Sequence, residues 1–289
     1  MATSTKNILV TGANGQLGTE IRYLHNLYPH FNIIFTDFHE LDITNAKSVE
    51  KALDALKPAF LVNCAAYTAV DKAEQEGTQA NLLNAIAPKI LADACKKYGA
   101  KLIHVSTDYV FDGKANTPYN EDSTVNPQSV YGKTKLTGEQ NVLESGVGMV
   151  IRTSWLYSAY GSNFVKTILK HGAVKPELGV VFDQTGTPTW AHDLAKAILQ
   201  IIDSGTENFK PEIFHYSNEG VCSWFDFAHE IVSLSNLNSK VKPIETKDYP
   251  TLATRPQYSV MNKQKIRNLY NVETPYWRES LIDCLKQLR

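Results

Sequence analysis

A short apolar run rich in branched residues, Lys6 to Val10, leads directly into Thr11-Gly-Ala-Asn-Gly-Gln-Leu-Gly18 and then into Thr19 to Leu27, where Ile21, Leu24 and Leu27 share one helical face. The passage reads as strand, tight turn, helix. Glycine at 12, 15 and 18 lets the backbone turn sharply and leaves the helix N-terminal N–H groups open to a pyrophosphate with no Cβ in the way. The spacing G-x-x-G-x-x-G is a variant of the dinucleotide fingerprint G-x-G-x-x-G, and a plain structural turn would carry it too. The next segment favours the nucleotide: the second apolar run, Asn32 to Thr36, ends at Asp37, 19 residues after Gly18, where a carboxylate suits the 2′-hydroxyl of an adenine ribose. Asp42, in Leu-Asp-Ile-Thr, either borders the adenine or merely precedes a helix capped by Thr44 or Asn45.

Strand and helix patterns alternate through the first half. Thr44 to Leu56 places Val49, Leu53 and Leu56 at helical spacing, and Ala59 to Ala66 is a third strand. Gln79 to Tyr98 is a long helix with Leu82, Ile86, Ile90, Leu91 and Ala94 inward. Lys101 to Ser106 is a fourth strand, Tyr131 to Leu143 a helix and Gly148 to Trp155 a fifth strand. This alternation predicts an α/β fold of Rossmann type, a doubly wound parallel sheet that binds ligands at the carboxyl ends of its strands. After Trp155 the pattern loosens: Asn163 to His171 and Ala191 to Ile202 read as helices and Glu212 to Tyr216 as a further strand, with a loop-rich stretch from Val174 to Pro188. We expect residues 1–170, completed by a segment near 190–218, to form the dinucleotide-binding domain, and 171–189 with 219–289 to form a smaller C-terminal substrate-binding lobe.

Composition narrows the setting. With 30 acidic and 29 basic residues the net charge is −1, so no electrostatic footprint for nucleic acid or anionic lipid is visible. Cys64, Cys95, Cys222 and Cys284 form neither a close pair nor a zinc spacing, and no apolar stretch of signal or membrane-span type precedes the first strand. The expectation is a cytoplasmic protein with reduced thiols and no membrane span.

The chemistry concentrates around the fourth strand. Thr107 leaves it at the rim where a ligand would lie. Tyr131 and Lys135, four apart, share a helical face. A Tyr-x-x-x-Lys pair alone carries little, because short motifs recur by chance; its value here is its place after a glycine turn and a rim hydroxyl. A lysine ammonium near a phenol favours the phenolate, lowering a pKa that starts near ~10, and the Thr107 hydroxyl can donate to a carbonyl oxygen where negative charge develops. Asn63 to Ala66 ends the third strand in small residues, which suits close approach of a flat cofactor or equally of a packed helix.

Thr11 to Gly18, Asn63 to Ala66, the Thr107, Tyr131 and Lys135 set, and Arg152-Thr-Ser-Trp155 together resemble the extended short-chain dehydrogenase/reductases. Within that family, Ala65 to Glu74, Ser106 to Gly113, Asn163 to Thr167 and Asp183 to Thr189 are similar to the members that reduce a dTDP-bound 4-keto-6-deoxy sugar. The resemblance covers nearly the whole chain. It implies NADPH or NADH as cofactor and a dTDP-sugar as substrate, with hydride delivered to the C4 ketone of dTDP-4-dehydro-L-rhamnose to give dTDP-L-rhamnose for cell-surface polysaccharide. Carried over by residue, it makes Tyr131 the proton donor, Lys135 its activator and a cofactor ligand, and Thr107 the carbonyl polariser. Gly12, Gly15, Gln16, Leu17, Gly18, Asp37, Asp42, Ala66, Tyr67 and Thr68 would line the cofactor, and Asp108 and Trp155 would meet the substrate. Asp108 has a competing role as a turn residue, and Trp155 one as core.

Some of these reductases form homodimers around Mg²⁺ held by glutamates. This chain keeps Glu20 but carries His192 where another of those glutamates aligns, and imidazole is a poor ligand for a hard, oxygen-seeking cation. No metal ligand is therefore assigned. Two other functions share much of the pattern: a nucleotide-sugar dehydratase or epimerase, and a non-catalytic nucleotide-binding subunit like the regulatory subunit of methionine adenosyltransferase. Against the dehydratase, Tyr109 stands where that chemistry carries a second acid after Thr107-Asp108.

Overall fold

The structure is a computed structural model that describes residues 5–288. Branched, apolar runs with both faces covered make its central sheet: β1 Lys6–Thr11, β2 Phe31–Thr36, β3 Phe60–Asn63, β4 Lys101–Thr107, β5 Gly148–Thr153 and β6 Ile213–His215. All pair in parallel, in the spatial order β6-β5-β4-β3-β1-β2. The chain steps outward from β1 to the edge at β2, then returns past β1 to β3. That reversal opens a crevice at the carboxyl ends of β1 and β3, where open α/β sheets bind ligands.

Helices cover the two faces: α1 Gln16–Leu24, α2 Ala46–Leu56, α3 Ala87–Tyr98, α4 Val130–Glu144 and, later in the chain, α6 Ala191–Asp203, with α5 Phe164–Gly172 between the last two. Asn45 caps α2 by accepting from the Ser48 N–H at 3.2 Å. Two helical readings need correction. The α-helix after the glycine turn ends at Leu24, and a 3₁₀ turn over His25–Leu27 breaks the 3.6 period, so Leu27 is 69% exposed rather than on the buried face. The long helix before β4 is interrupted by a π turn, Leu82–Ile86, whose extra residue rotates the inward face onto Asn84 and Ala85 and leaves Ile86 43% exposed.

A second core lies beyond the main sheet. It gathers Val165 and Ile168 of α5, Phe227 and Ile231 of α7 Trp224–Leu234, and Trp277 and Leu281 of α8 Trp277–Gln287. A parallel strand pair, Glu177–Val181 with Lys240–Ile244, completes it, the first of the two lying inside the stretch from Val174 to Pro188 that reads from sequence as loop. By contrast α6 packs on α1 and returns the chain to the main core, with β6 closing the sheet edge. Because α5 belongs with the second core, we propose that the lobe boundary falls ahead of α5 rather than at 170. Among the described residues the four cysteines are unpaired, and no helix is long and apolar enough to cross a membrane.

Candidate active site

The glycine turn joins β1 to α1, and each glycine has a separate geometric duty. Gly12 has φ +66°, and a Cβ there would lie 2.5 Å from the Ala65 nitrogen just past β3. A Cβ on Gly18 would lie 2.5 Å from the Ala13 Cα, so it sets how closely helix and turn pack. Gly15 is the N-cap of α1, where no side chain accepts from the first-turn N–H groups, and it lines the cleft together with Gln16 and Leu17. An uncapped N-terminus of this kind, with its N–H groups and positive dipole end facing a cleft, suits a pyrophosphate.

The cleft encloses about 940 Å³. Asp37 stands at its β2 end, with Oδ2 accepting from the Asn14 N–H at 2.9 Å and Oδ1 from the Phe38 N–H at 2.8 Å, so the carboxylate is fixed at the mouth of the turn. Asp42 lines the wall and also makes a local turn, its Oδ1 accepting from the Thr44 N–H and hydroxyl at 2.9 and 2.6 Å. Ala66 and Thr68 line the cleft; Gly18 and Tyr67 do not. Tyr67 turns its hydroxyl to Glu76, and its backbone is held on both sides by Asn84, whose Oδ1 accepts from the Tyr67 N–H at 2.9 Å and whose Nδ2 donates to the Tyr67 carbonyl at 3.1 Å.

At the other end β4 and α4 bring the proposed chemistry together. Ser129 caps α4 by accepting from the Gly132 N–H at 3.1 Å, which fixes the first turn carrying Tyr131. Helix α4 is pressed against its surroundings at two glycines: a Cβ on Gly132 would meet the Tyr109 carbonyl oxygen at 2.3 Å, and one on Gly138 the Asn84 carbonyl oxygen at 2.0 Å. A buried ion pair ties α4 to β5, Arg152 Nη2 donating to Glu139 Oε2 at 2.7 Å and Nε to Oε1 at 3.0 Å.

Thr107, Asp108, Tyr131 and Lys135 all line the cleft. The Thr107 hydroxyl donates to Asp108 Oδ1 at 3.0 Å and lies within hydrogen-bonding reach of the Tyr131 phenol. Burial raises the Asp108 carboxyl to about 6, against the hydroxyls of Ser259 and Thr107, which favour its charged form. Burial also pushes the Tyr131 phenol above its ordinary value. Thr107 works against that shift, and the charges of Asp108 and Tyr109 add to it. Sequence spacing alone has Lys135 lowering this phenol; in the structure Lys135 Nζ instead donates to the Val105 carbonyl at 2.7 Å and faces His104 Nε2 at 3.4 Å. Burial thus favours the protonated phenol of Tyr131.

Trp155 follows β5 with φ +48°, a left-handed conformation that costs a bulky residue about 1–3 kcal/mol and is held only where the surroundings enforce it. Its ring stacks on Trp224, with centroids 3.6 Å apart and planes 8° from parallel, and both rings line the cleft and pack against the second core. Sequence reasoning misses Trp224, and it misses Arg255 too, which reaches the cleft from the C-terminal part of the chain and binds Asp71 at 2.7 Å and the Tyr109 hydroxyl at 3.2 Å. A lone Trp and a lone Arg in a loosely patterned half give no spacing to find them by. Asn163, which sequence places only within a motif, ties the start of α5 to the first turn of α1 by donating to Gln16 Oε1 at 3.0 Å.

Glu20 points elsewhere. It is buried, accepting from the Ser158 hydroxyl at 2.6 Å on one oxygen, and its other oxygen lies 3.0 Å from His192 Nδ1. Both carboxylate oxygens are thus engaged within the chain. Among the described residues no group of three or more His, Cys, Asp or Glu side chains is placed to hold a metal ion.

A family model described as the RmlD substrate binding domain matches residues 6–289. The spore coat polysaccharide biosynthesis protein SpsK of Bacillus subtilis (strain 168) is 39% identical, over 97% of this chain and 97% of its own length. The dTDP-4-dehydrorhamnose reductase of Aggregatibacter actinomycetemcomitans is 40% identical over 95% of this chain and 96% of its own. The crystal structure of dTDP-4-dehydrorhamnose reductase from Bacillus anthracis in complex with NADP is 38% identical with a TM-score of 0.91, covering 98% of this chain and 99% of that one.

Proposed function

The chain belongs to the RmlD substrate binding domain family, and from that premise we propose that it is an NAD(P)H-dependent reductase acting on the C4 ketone of dTDP-4-dehydro-L-rhamnose to form dTDP-L-rhamnose. The observation that carries the reading is the convergence, in one cleft, of an uncapped helix N-terminus at the glycine turn with Thr107, Tyr131 and Lys135. The relatives' activity supports the substrate, and the NADP complex of the Bacillus anthracis reductase supports the cofactor class.

The residues present fit a dinucleotide. Gly12, Gly15, Gln16 and Leu17 line the cleft at the first turn of α1, Asp37 and Asp42 line it after β2, and Lys135 lines it from α4. When bound, the reduced nicotinamide supplies the hydride. Tyr131, kept protonated by burial, gives its phenolic proton to the ketone oxygen as that oxygen gains negative charge. Thr107 turns its hydroxyl from Asp108 toward the same oxygen and stabilises the charge by a hydrogen bond. Asp108 and the Trp155 ring border the sugar, and Arg255, with Lys135 the second cation on the cleft wall, faces the diphosphate. Fixed by two backbone N–H groups, Asp37 accepts from a ribose 2′-hydroxyl and repels a 2′-phosphate, so we propose that NADH serves alongside NADPH.

Incubating the purified protein with NADPH and dTDP-4-dehydro-L-rhamnose tests the reading. Loss of reduced-cofactor absorbance with formation of dTDP-L-rhamnose supports it. Water loss from dTDP-glucose would instead mark a dehydratase, and dinucleotide binding with no turnover a non-catalytic subunit.

A further inference from the structure

Buried polar side chains run in a row across the carboxyl end of the sheet. Thr11 of β1 pairs in register with Asn63 of β3, which pairs with His104 of β4, and the row ends at Lys135 of α4. Asn63 and His104 have no part in the proposed reduction, yet the direction of every hydrogen bond in the row can be worked out. The Ala65 backbone N–H can only donate. It lies 3.1 Å from Asn63 Oδ1, which also accepts from the Thr11 hydroxyl at 2.8 Å. The Asn63 amide nitrogen is therefore the atom that faces His104 Nδ1 at 3.0 Å, and an amide NH₂ donates. His104 Nδ1 must accept, which puts the proton of the neutral ring on Nε2.

That Nε2 lies 3.4 Å from Lys135 Nζ, while Nζ donates to the Val105 carbonyl at 2.7 Å. An ammonium has three donors and no acceptor, so a fixed N–H aimed at it is repulsive; a neutral amine offers that N–H a lone pair. We propose that His104 is a positioning residue that holds its Nε2–H on Lys135 and so favours the neutral amine over the ammonium, leaving Lys135 able to release and regain a proton near working pH.

The surroundings agree. Burial and the Lys135 charge drive His104 well below its ordinary value, so the ring stays neutral, and burial, opposed by Glu139, brings Lys135 down to about 8. Glu139, one helical turn on, favours the ammonium, but its carboxylate is shared with the Arg152 guanidinium of β5. Tyr131 lies one turn back, Asp108 and Tyr109 sit in the turn after β4, and Arg255 is committed to Tyr109 and Asp71. Beyond Arg152 lie His215 of β6, whose ring burial keeps neutral, and Glu121, which accepts from the His215 N–H. The hydrogen-bond directions in the row do not depend on the proposed reduction.

Two readouts on protein without substrate test it, so their failure is separable from failure of the proposed reaction. Ring ¹⁵N shifts of histidine-labelled wild-type protein should show His104 as the neutral Nε2–H tautomer at pH 6–9; the Nδ1–H tautomer or an imidazolium overturns the proposal. The Cε signal of ¹³C-labelled Lys135, assigned by its loss in Lys135→Met, should titrate near 8, against about 10.4 for an ordinary lysine. In His104→Leu that midpoint should rise by at least about one unit. An unchanged midpoint in a folded variant overturns the proposal, and the wild-type tautomer decides alone if the variant fails to fold.

Discussion

Tyr131 is held as a phenol, and the consequence is a division of labour between binding and chemistry. Tyr131→Phe keeps the ring against Tyr109 but removes the transferable proton, so dinucleotide affinity should be nearly unchanged while turnover falls at least ~10²-fold. Stopped-flow turnover and direct dinucleotide titration check the two halves; full activity would remove Tyr131 from the reaction. Asp108 carries a pH signature. Its folded-state value of about 6 lies above the ordinary 3.8, so the folded chain binds this proton more tightly than the unfolded one does. Stability attributed to the group is therefore greatest at low pH and declines as pH rises from about 4 through 6, by roughly 2–3 kcal/mol in all. Asp108→Asn should melt above the wild type at pH 7, with the gap closing toward pH 4. A gap that does not vary with pH would show that burial does not hold this carboxyl up.

At the scale of elements the site depends on how closely α4 is seated. The Asn84 carbonyl sits where a Gly138 Cβ would be, only 2.0 Å away, and backbone cannot yield as a flexible side chain would. Gly138→Ala should destabilise by about 1–3 kcal/mol, the range for overpacking a filled core, and should displace Tyr131 and Lys135 enough to cost activity beyond the loss of folded protein. Thermal melting beside turnover per folded molecule measures both, and a wild-type melting temperature would contradict the close seating. The same elements show what a sequence does and does not disclose. Thr107, Tyr131 and Lys135 are legible because strand end and helical spacing place them without reference to the rest of the chain. Leu27 and Ile86 are misplaced by sequence because 3₁₀ and π turns break the 3.6 period on which helical faces are assigned. Asn84, Glu139, Trp224, Arg255 and His104 escape notice for another reason: their roles exist only in contacts between segments far apart in sequence.

Across the whole molecule, segments far apart in sequence meet at the cleft, through the Trp155–Trp224 stack and the Asn163–Gln16 hydrogen bond. Both are protein–protein contacts that need no metal. Glu20, the glutamate that the resemblance connects with a metal bridge in some relatives, is engaged by Ser158 and His192. Chelation with EDTA should therefore change neither the mass in solution, read by light scattering at fixed ionic strength, nor the rate of NAD(P)H oxidation. A dimer that dissociates on chelation and reforms with Mg²⁺ would show that other carboxylates complete a site between subunits. The central claim is that this cleft transfers hydride from a reduced nicotinamide to C4 of a dTDP-bound keto sugar while Tyr131 supplies the proton. Its most direct test is turnover of dTDP-4-dehydro-L-rhamnose with NADPH carrying deuterium at the transferable position of the nicotinamide, followed by NMR of the product. The account predicts dTDP-L-rhamnose with deuterium at C4 and at no other carbon; product formed without that label, or labelled elsewhere in the sugar, would contradict it.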